Sequence, residues 1–282
     1  MRPNFLIIGA AKSGTTSLAV NLSTHPEVFL ARSETHFFSY DSNWEEGTAT
    51  YEVNFDAAPS DAVAVGEKSP SYLYSPDAPG RIAETFGENP LFCCIAILRE
   101  PVARAVSQVA HRRRLNAEHK TVTEALIANL DHLDGTFDYI GRGHYAEQLS
   151  RFIDVLGADR VHVELYEDLV GDPDALLDRL CARLELSSFS FPLASRRINE
   201  SATIRYPRLY RELIRIRAGK WLPPELSRWV WGKLQEPVAY EMLPPALARR
   251  IQAHYAPHNR DLEVLLGRTL PANWRQPDSL QR

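Results

Sequence analysis

The sequence is poor in the features that mark secreted and membrane-spanning proteins. Only three cysteines occur in 282 residues, and Cys93 and Cys94 are adjacent within an apolar run, so the spacing fits neither a disulfide framework nor a zinc site. The longest uninterrupted apolar run, 91–98, is far too short to cross a bilayer. We therefore expect a cytoplasmic protein with no integral membrane segment and no signal peptide.

An excess of positive charge is also missing. The formal net charge is −4, a balance that argues against general binding to nucleic acid or to an anionic membrane surface. The length suits one α/β domain with a large core or two small ones. We expect one domain over residues 1–282.

The N-terminal stretch carries the motif that organises the chain. An apolar run at 5–8 predicts a strand, small residues and one lysine follow from Gly9 to Gly14, and an apolar-periodic segment then predicts a helix. The two glycines let the backbone approach an anion closely, and the amides of Thr15 to Ser17 at the helix start would point at it. The pattern predicts a phosphate-binding loop, the alternative being an unrelated turn between strand and helix.

The position of the lysine indicates which phosphate the loop binds. A Walker loop places its lysine immediately after the second glycine, whereas here Thr15 follows Gly14 and Lys12 lies two positions before that glycine. This disfavours a nucleoside triphosphatase. The segment Gly-Ala-Ala-Lys-Ser-Gly-Thr-Thr resembles the 5′-phosphosulfate loop of sulfotransferases that use 3′-phosphoadenosine 5′-phosphosulfate (PAPS). The resemblance implies that the donor is bound by Lys12, Ser13, Gly14, Thr15, Thr16 and Ser17.

A second motif follows the short strand expected at 25–30. Glu34 and His36 occupy alternate positions, so on an extended chain both side chains face the same way. An acid beside an imidazole is a candidate proton-transfer site, although two ordinary polar residues in a solvated loop would give the same pattern. The sequence Glu-x-His-Phe-Phe resembles the heparan sulfate O-/N-sulfotransferase-like branch of the family. That resemblance implies Glu34 as the catalytic base, with His36 as the reserve candidate.

The next predicted strand, 62–66, delivers Glu67 and Lys68 at its carboxyl end, where ligands collect in doubly wound α/β folds. A lysine there would stabilise the negative charge that grows on the bridging oxygen as a sulfuryl group leaves a phosphate. Pairing of Lys68 with Glu67 or Asp77 is the structural alternative. The Glu-Lys-x-Pro-x-Tyr segment resembles one that lines the sulfotransferase active site, which implies a catalytic role for Lys68 beside Lys12.

The apolar run 91–98 predicts a central parallel strand covered on both faces. Arg99 follows it directly, Pro101 suits the first position of a helix, and Ser107 lies two turns further on. The sequence Arg-Glu-Pro followed by Arg-Ala-x-Ser resembles the 3′-phosphate site of PAPS enzymes, which implies a fork of donors from Arg99 and a hydroxyl from Ser107. The generic alternative is a salt-bridge partner and a serine on a helix surface.

Together the motifs imply a PAPS-dependent sulfotransferase with a P-loop NTPase-like three-layer α/β fold, in which helices flank a central parallel β-sheet. Its acceptor would be a hydroxyl of a small metabolite, glycoside or lipid-linked molecule, as in a bacterial-type cytoplasmic enzyme of secondary metabolism. No metal and no nucleic acid are expected, and a homodimer is left open. The segment around 200–245 would be a helical lid or an acceptor-side insertion. The alternatives are a P-loop kinase of small metabolites or nucleosides and a non-catalytic nucleotide-binding module.

Overall fold

The structure is a computed structural model that describes residues 1–132, 137–192, 194, 202–204, 235–237 and 242–275. The chain divides into two compact units, one formed by Met1–Arg196 with Met242–Arg282 and the other by Arg197–Glu241. The larger unit contains every predicted site residue.

The larger unit is built on a five-stranded parallel sheet with the strand order β2-β3-β1-β4-β5. The predicted parallel α/β architecture is therefore confirmed. The strands are β1 (Phe5–Gly9), β2 (Val28–Leu30), β3 (Ala64–Lys68), β4 (Cys93–Leu98) and β5 (Val161–Leu165).

Helices cover both faces of this sheet. The helices of the described residues are α1 (Thr15–Leu22), α2 (Asp41–Trp44), α3 (Thr48–Glu52), α4 (Ala78–Phe86), α5 (Pro101–Arg114), α6 (Val122–Leu130), α7 (Tyr145–Leu156), α8 (Tyr166–Gly171), α9 (Pro173–Arg183) and α10 (Pro245–Leu266). Among these residues, none of the helices combines the length and the apolar character that crossing a bilayer requires.

Alternation along β1 explains the three layers. Phe5 and Ile7 pack on one face of the sheet with α1 and α9, whereas Leu6 and Ile8 pack on the other face with α4, α7 and α10. Successive side chains of a strand point to opposite faces, so a run that is apolar throughout must be covered on both sides. The adjacent cysteines of β4 follow the same rule, since both are buried and free.

Element boundaries differ from the sequence expectation in a few places. The strand expected at 62–66 begins at Ala64 and continues through Lys68, so Glu67 and Lys68 belong to the strand. The short strand expected at 25–30 covers only Val28–Leu30. Tyr51 is only 2% exposed because it stacks on Phe37 in the core.

The smaller unit contains two short antiparallel strands, β6 (Ala202–Ile204) and β7 (Gln235–Pro237). The lid or insertion expected around 200–245 otherwise falls, up to residue 241, outside the described residues. The expectation of one domain over 1–282 and of a helical cover stays a prediction.

An ion pair between β5 and α9 helps to hold the edge of the sheet. The Glu164 side chain is 2% exposed and accepts two hydrogen bonds from Arg179, at 3.0 and 2.6 Å. Burial raises the pKa of Glu164, but hydrogen bonds from His162 and Arg179 outweigh it and bring the pKa below its usual value. Removing Arg179 would leave a buried carboxylate short of donors.

We expect Arg179→Met to lower the free energy of unfolding at pH 7 by about 1–2 kcal/mol, because a buried charged acceptor loses its donors while the half-exposed arginine is partly screened. Since the pKa of Glu164 is lower in the folded state than in the unfolded state, this stabilisation is present at neutral pH and is lost as the pH falls. Urea denaturation at pH 7 and at acidic pH measures both effects. A loss no larger than that of the exposed Arg249→Met, or one independent of pH, would contradict the assignment.

Candidate active site

The predicted site residues meet at the carboxyl edge of the sheet. The loop that ends at Gly14 follows β1, the segment of Glu34 follows β2, Lys68 ends β3, and Arg99 follows β4. Because parallel strands place their carboxyl ends at one edge, residues from four separate motifs come together there. The strand order puts β1 between β3 and β4, so the loop lies between Lys68 and Arg99.

The loop itself has the geometry of an anion site. Lys12 and Gly14 have positive φ values of 71° and 91°, which turn the chain sharply into α1 at Thr15. A side chain at position 14 would also collide with the Tyr166 ring, 2.9 Å from where its Cβ would lie, so both the conformation and the space call for glycine. Within the described structure, no side chain caps the N-terminus of α1. Because the N-terminus of a helix carries amides that have no partner within the helix, the start of α1 suits an anion.

The remaining residues assigned to this loop differ in their exposure. Ser13 is fully buried and Thr15 nearly so, which fixes the loop from beneath. Thr16 accepts a hydrogen bond of 3.2 Å from Lys68 Nζ, and Ser17 is half-buried in the first turn of α1.

Positive charges converge on the Lys12 ammonium group. Burial first, and then the charges of Arg114 and Arg99, lower the pKa of Lys12 to about 8, while Glu34 opposes the shift. Like charges that are held together and partly desolvated disfavour the protonated form. The same arrangement favours the binding of an anion, whose charge would relieve the repulsion.

Glu34 and Lys68 form an ion pair across this cluster. Lys68 Nζ donates a short hydrogen bond to Glu34 Oε1, and the lysine side chain is 15% exposed against 36% for the glutamate. Burial raises the pKa of Glu34, but the hydrogen bonds from His36 and Lys68 outweigh it and bring the pKa down to about 2. Neither Glu67 nor Asp77, the alternatives considered from the sequence, is the partner of Lys68.

His36 holds the second oxygen of the same carboxylate. Its Nε2 lies 3.3 Å from Glu34 Oε2, and its Nδ1 lies 2.7 Å from Ser71 Oγ. The segment is not the extended strand that would place the two side chains on one face, because His36 has a φ of 51° and its amide donates to Ser69 Oγ. The two groups still meet, through this turn of the backbone.

Glu67 is in the core, not among the ligand-binding residues at the strand end where the sequence predicts it beside Lys68. It is fully buried and accepts a hydrogen bond of 2.8 Å from Ser69 Oγ. Burial raises the pKa of Glu67 to about 7. Alternation along β3 explains this outcome, since neighbouring strand residues point to opposite faces and Lys68 takes the side of the loop.

Arg99 is positioned by the backbone of the loop and by two tyrosines. Arg99 Nη1 donates to the Lys12 carbonyl at 3.3 Å, and the guanidinium carbon lies 4.8 Å from the centre of the Tyr166 ring. The Arg99 carbonyl accepts a hydrogen bond of 2.9 Å from Tyr145 Oη. Ser107 lies on α5 and is 4% exposed. Within the described part of the chain, no hydrogen bond joins Ser107 to Arg99, so a shared ligand would have to connect them.

Sequence reasoning missed three contributors to this site. Tyr166 lies under Arg99 and directly follows β5, so the rule that ligands collect at strand ends would have found it. Arg114 belongs to a basic run that the sequence assigns to a helix terminus, yet it acts on Lys12. Ser71 contacts His36 Nδ1, and it occupies a variable position within the Glu-Lys-x-Pro-x-Tyr segment, so the motif marks its neighbourhood but not the residue.

One known protein family matches more than half of this chain. A family model described as a sulfotransferase domain matches residues 2–194. The chain belongs to the sulfotransferase family. The known reaction of this family is PAPS-dependent. The matched residues, 2–194, include all the site residues described above.

Curated sulfotransferases similar to this chain act on a sulfated polysaccharide, as their names state. Human heparan sulfate glucosamine 3-O-sulfotransferase 3B1 is 30% identical over 182 residues, which are 63% of this chain and 45% of that protein. Mouse heparan sulfate glucosamine 3-O-sulfotransferase 6 is 27% identical over 266 residues, 94% of this chain and 72% of that one. The chain thus spans less than half of the length of the human relative.

A bacterial sulfotransferase provides the structural comparison. The crystal structure of a sulfotransferase from Alicyclobacillus acidocaldarius superposes with a TM-score of 0.72 at 26% identity, covering 98% of this chain and 100% of that one. The likeness extends over the whole sheet and its helices, and it confirms the P-loop-like fold.

The ion pair makes a direct prediction about Glu34. We expect Lys68→Met to raise the pKa of Glu34 from about 2 toward the ordinary value of a glutamate, because burial then acts on the carboxylate with one donor and one positive charge fewer. Carbon-13 NMR titration of the side-chain carboxyl groups measures this shift. The exposed Lys120→Met is the control and should leave the titration of Glu34 unchanged, because Lys120 acts on Glu118 and Glu124 instead. An unaltered Glu34 titration in Lys68→Met would show that the ion pair does not exist in solution.

Proposed function

We propose that this chain transfers a sulfuryl group from PAPS to a hydroxyl of a small-molecule, glycoside or lipid-linked acceptor by in-line displacement. The observation that carries the proposal is the convergence of Lys12, Lys68 and Arg99 on one uncapped helix N-terminus, with the Glu34 carboxylate beside them. Cations and helix amides suit a donor with phosphates at both ends, and a carboxylate suits an acceptor with a proton to lose.

The two ends of the donor have separate sites in this proposal. The 5′-phosphosulfate is bound by the amides and side chains of the loop and first turn of α1, namely Lys12, Ser13, Gly14, Thr15, Thr16 and Ser17. The 3′-phosphate is bound by Arg99, whose planar fork matches phosphate oxygens, and by the Ser107 hydroxyl. Tyr166 stacks on the guanidinium group and limits its freedom, so less rotational entropy is lost when the phosphate binds.

The transfer step follows from these positions. Glu34 accepts the proton of the acceptor hydroxyl, the acceptor oxygen forms a bond to sulfur, and the bond from sulfur to the bridging phosphate oxygen breaks. The electron pair of that bond remains on the 5′-phosphate of 3′-phosphoadenosine 5′-phosphate (PAP). Lys12 and Lys68 stabilise the negative charge that develops there. No metal enters this scheme.

The low pKa of Glu34 gives the donor a second role. A general base works best when its pKa lies near the working pH, and a carboxylate that titrates at about 2 is a weak base. When the bridging oxygen of the donor attracts Lys68, Glu34 loses a hydrogen bond and a neighbouring positive charge, so its pKa rises. His36 holds the other oxygen of the Glu34 carboxylate in place. In this mechanism His36 therefore positions the base.

Two alternative functions are separated by ligand preference. A P-loop kinase would use the same loop for ATP with magnesium, and a non-catalytic module would bind the nucleotide without transfer. The Lys68 and Glu34 pair supports an enzyme, since a binding module has no need of a base at the acceptor side. A cytoplasmic location, a homodimer, and a bacterial role in secondary metabolism stay predictions.

Ligand preference is the first prediction of this proposal. In calorimetric titrations without magnesium, we expect PAP to bind more tightly than ATP or adenosine 5′-phosphosulfate, because only PAP carries the 3′-phosphate. Arg99→Ala should weaken PAP binding by roughly 10- to 150-fold, the equivalent of losing hydrogen bonds from a charged group. The exposed Arg249→Ala should leave it unchanged. Preference for ATP with magnesium would instead support a kinase.

The second prediction concerns the base. With PAPS and an acceptor selected from a panel of phenols, glycosides and lipid-linked alcohols, Glu34→Gln should lower kcat by roughly 10²- to 10⁴-fold because the general base is lost. PAP affinity should be retained, and the exposed Glu46→Gln should behave like the wild type. Release of PAP measures turnover.

Two results of that experiment would contradict the assignment. Unchanged turnover in Glu34→Gln would remove Glu34 from the role of base and make His36 the candidate. A protein that binds PAP but sulfates no member of the panel would favour the non-catalytic module.

A further inference from the structure

Three histidines come together away from the residues assigned to the donor. His144 directly precedes α7, and His254 and His258 lie on α10. Each offers a ring nitrogen, and these nitrogens all lie within 4.8 Å of one another. His144 Nε2 is 2.9 Å from His254 Nε2, and the rings of His144 and His258 stack with centroids 3.8 Å apart.

The spacing on α10 is that of a metal-binding pair. Residues four apart on a helix lie on the same face, and two histidines at this spacing form half of many zinc sites. The third ligand, His144, comes from a segment more than a hundred residues earlier, at the turn that precedes α7. A cation bound by all three would therefore join two elements that the chain does not connect directly.

The distances between the ring nitrogens fit tetrahedral coordination of a metal ion once the rings have adjusted. Tetrahedral zinc with bonds of about 2.0–2.1 Å to nitrogen places its ligand nitrogens about 3.3 Å apart, which lies between the closest separation here and the widest. The lone pair of imidazole lies in the plane of the ring, so His258 must turn out of its stack on His144 to aim at the same point. That motion is a rotation about χ2, for which histidine has a broad energy profile.

The charged groups that act on His144 lie in the turn before α7 and on α5. Asp138 acts favourably on the His144 ring and Arg104 acts against it. Asp138 also accepts hydrogen bonds from the Gly141 amide and from Tyr74 Oη, at 2.7 and 2.8 Å. This fixed carboxylate lies at the turn before His144 and partly offsets the charge of a cation there.

Mutual hydrogen bonding explains the cluster only in part. The short contact between His144 and His254 needs one ring to donate and the other to accept. Among the residues that the structure describes, it leaves His258 with its ring contacts to His144 and His254 alone. All three side chains are half-buried. A cation would use the lone pairs of all three rings at once.

We propose that His144, His254 and His258 bind one divalent first-row transition ion, with Zn²⁺ the best match to a three-imidazole site. A solvent molecule completes the tetrahedron. The ion fastens α10 to the turn before α7. It takes no part in sulfuryl transfer, and the site shares no side chain with the donor site. Tyr145, which directly follows His144, connects the two sites because its hydroxyl donates to the Arg99 carbonyl.

The test uses the full chain, purified without a histidine tag and dialysed against chelator. Titration with Zn²⁺ by calorimetry should show one site per chain, and Co²⁺ should give the intense visible absorption of a tetrahedral complex. His254→Ala and His258→Ala should each weaken Zn²⁺ binding by more than the roughly 10- to 100-fold that loss of an outer-shell partner costs. The exposed His119→Ala should bind as the wild type does.

A stability measurement guards against misfolded variants. Zn²⁺ should raise the melting temperature of the wild type and of His119→Ala, because a ligand that binds only the folded state stabilises it, and it should not raise that of His254→Ala or His258→Ala. Chelator-treated variants that melt cooperatively show that the fold is intact. Absence of saturable Zn²⁺ binding by the wild type, or equal binding by folded His254→Ala, would overturn the proposal. Since PAP binding is measured separately, failure here leaves the sulfotransferase assignment untouched.

Discussion

The site depends on positive charge gathered at one edge of the sheet. Lys12, Lys68 and Arg99 reach that edge from three adjacent strands, β1, β3 and β4, and partial burial makes their repulsion costly. The lowered pKa of Lys12 reflects that cost. Glu34 offsets part of it from within the protein, and a ligand with two separated anionic groups would offset more. The strand order therefore brings positive charges together in a site that favours an anionic ligand.

Much of this arrangement could be predicted from the sequence because the signals are local. Runs of apolar residues identified the central strands, since a strand buried on both faces has few polar positions. The two glycines around Lys12 identified the loop, and α1 begins where the backbone amides were expected. Parallel strands then required Glu34, Lys68 and Arg99 to share an edge.

The remainder was decided by contacts between distant segments. His36 meets Glu34 through a turn with positive φ, held by Ser69 from beyond β3, and no pattern of alternation describes that turn. Glu67 and Lys68 are neighbours in sequence, yet one is in the core and the other in the site. The histidine cluster could not be predicted either, because His144 reaches the pair on α10 through the packing of α7 against that helix.

In the mechanism proposed above, the ion pair between Glu34 and Lys68 links donor binding to proton transfer. While Lys68 donates to the carboxylate, Glu34 is a weak base. A hydroxyl of the sulfuryl acceptor beside it therefore keeps its proton. A donor that draws the ammonium group toward its bridging oxygen supplies the leaving-group stabilisation and releases the base in one displacement. Because both events use the same lysine, proton removal is confined to complexes that already hold the sulfuryl group. The base is therefore strengthened only where its proton transfer can be followed by attack on sulfur.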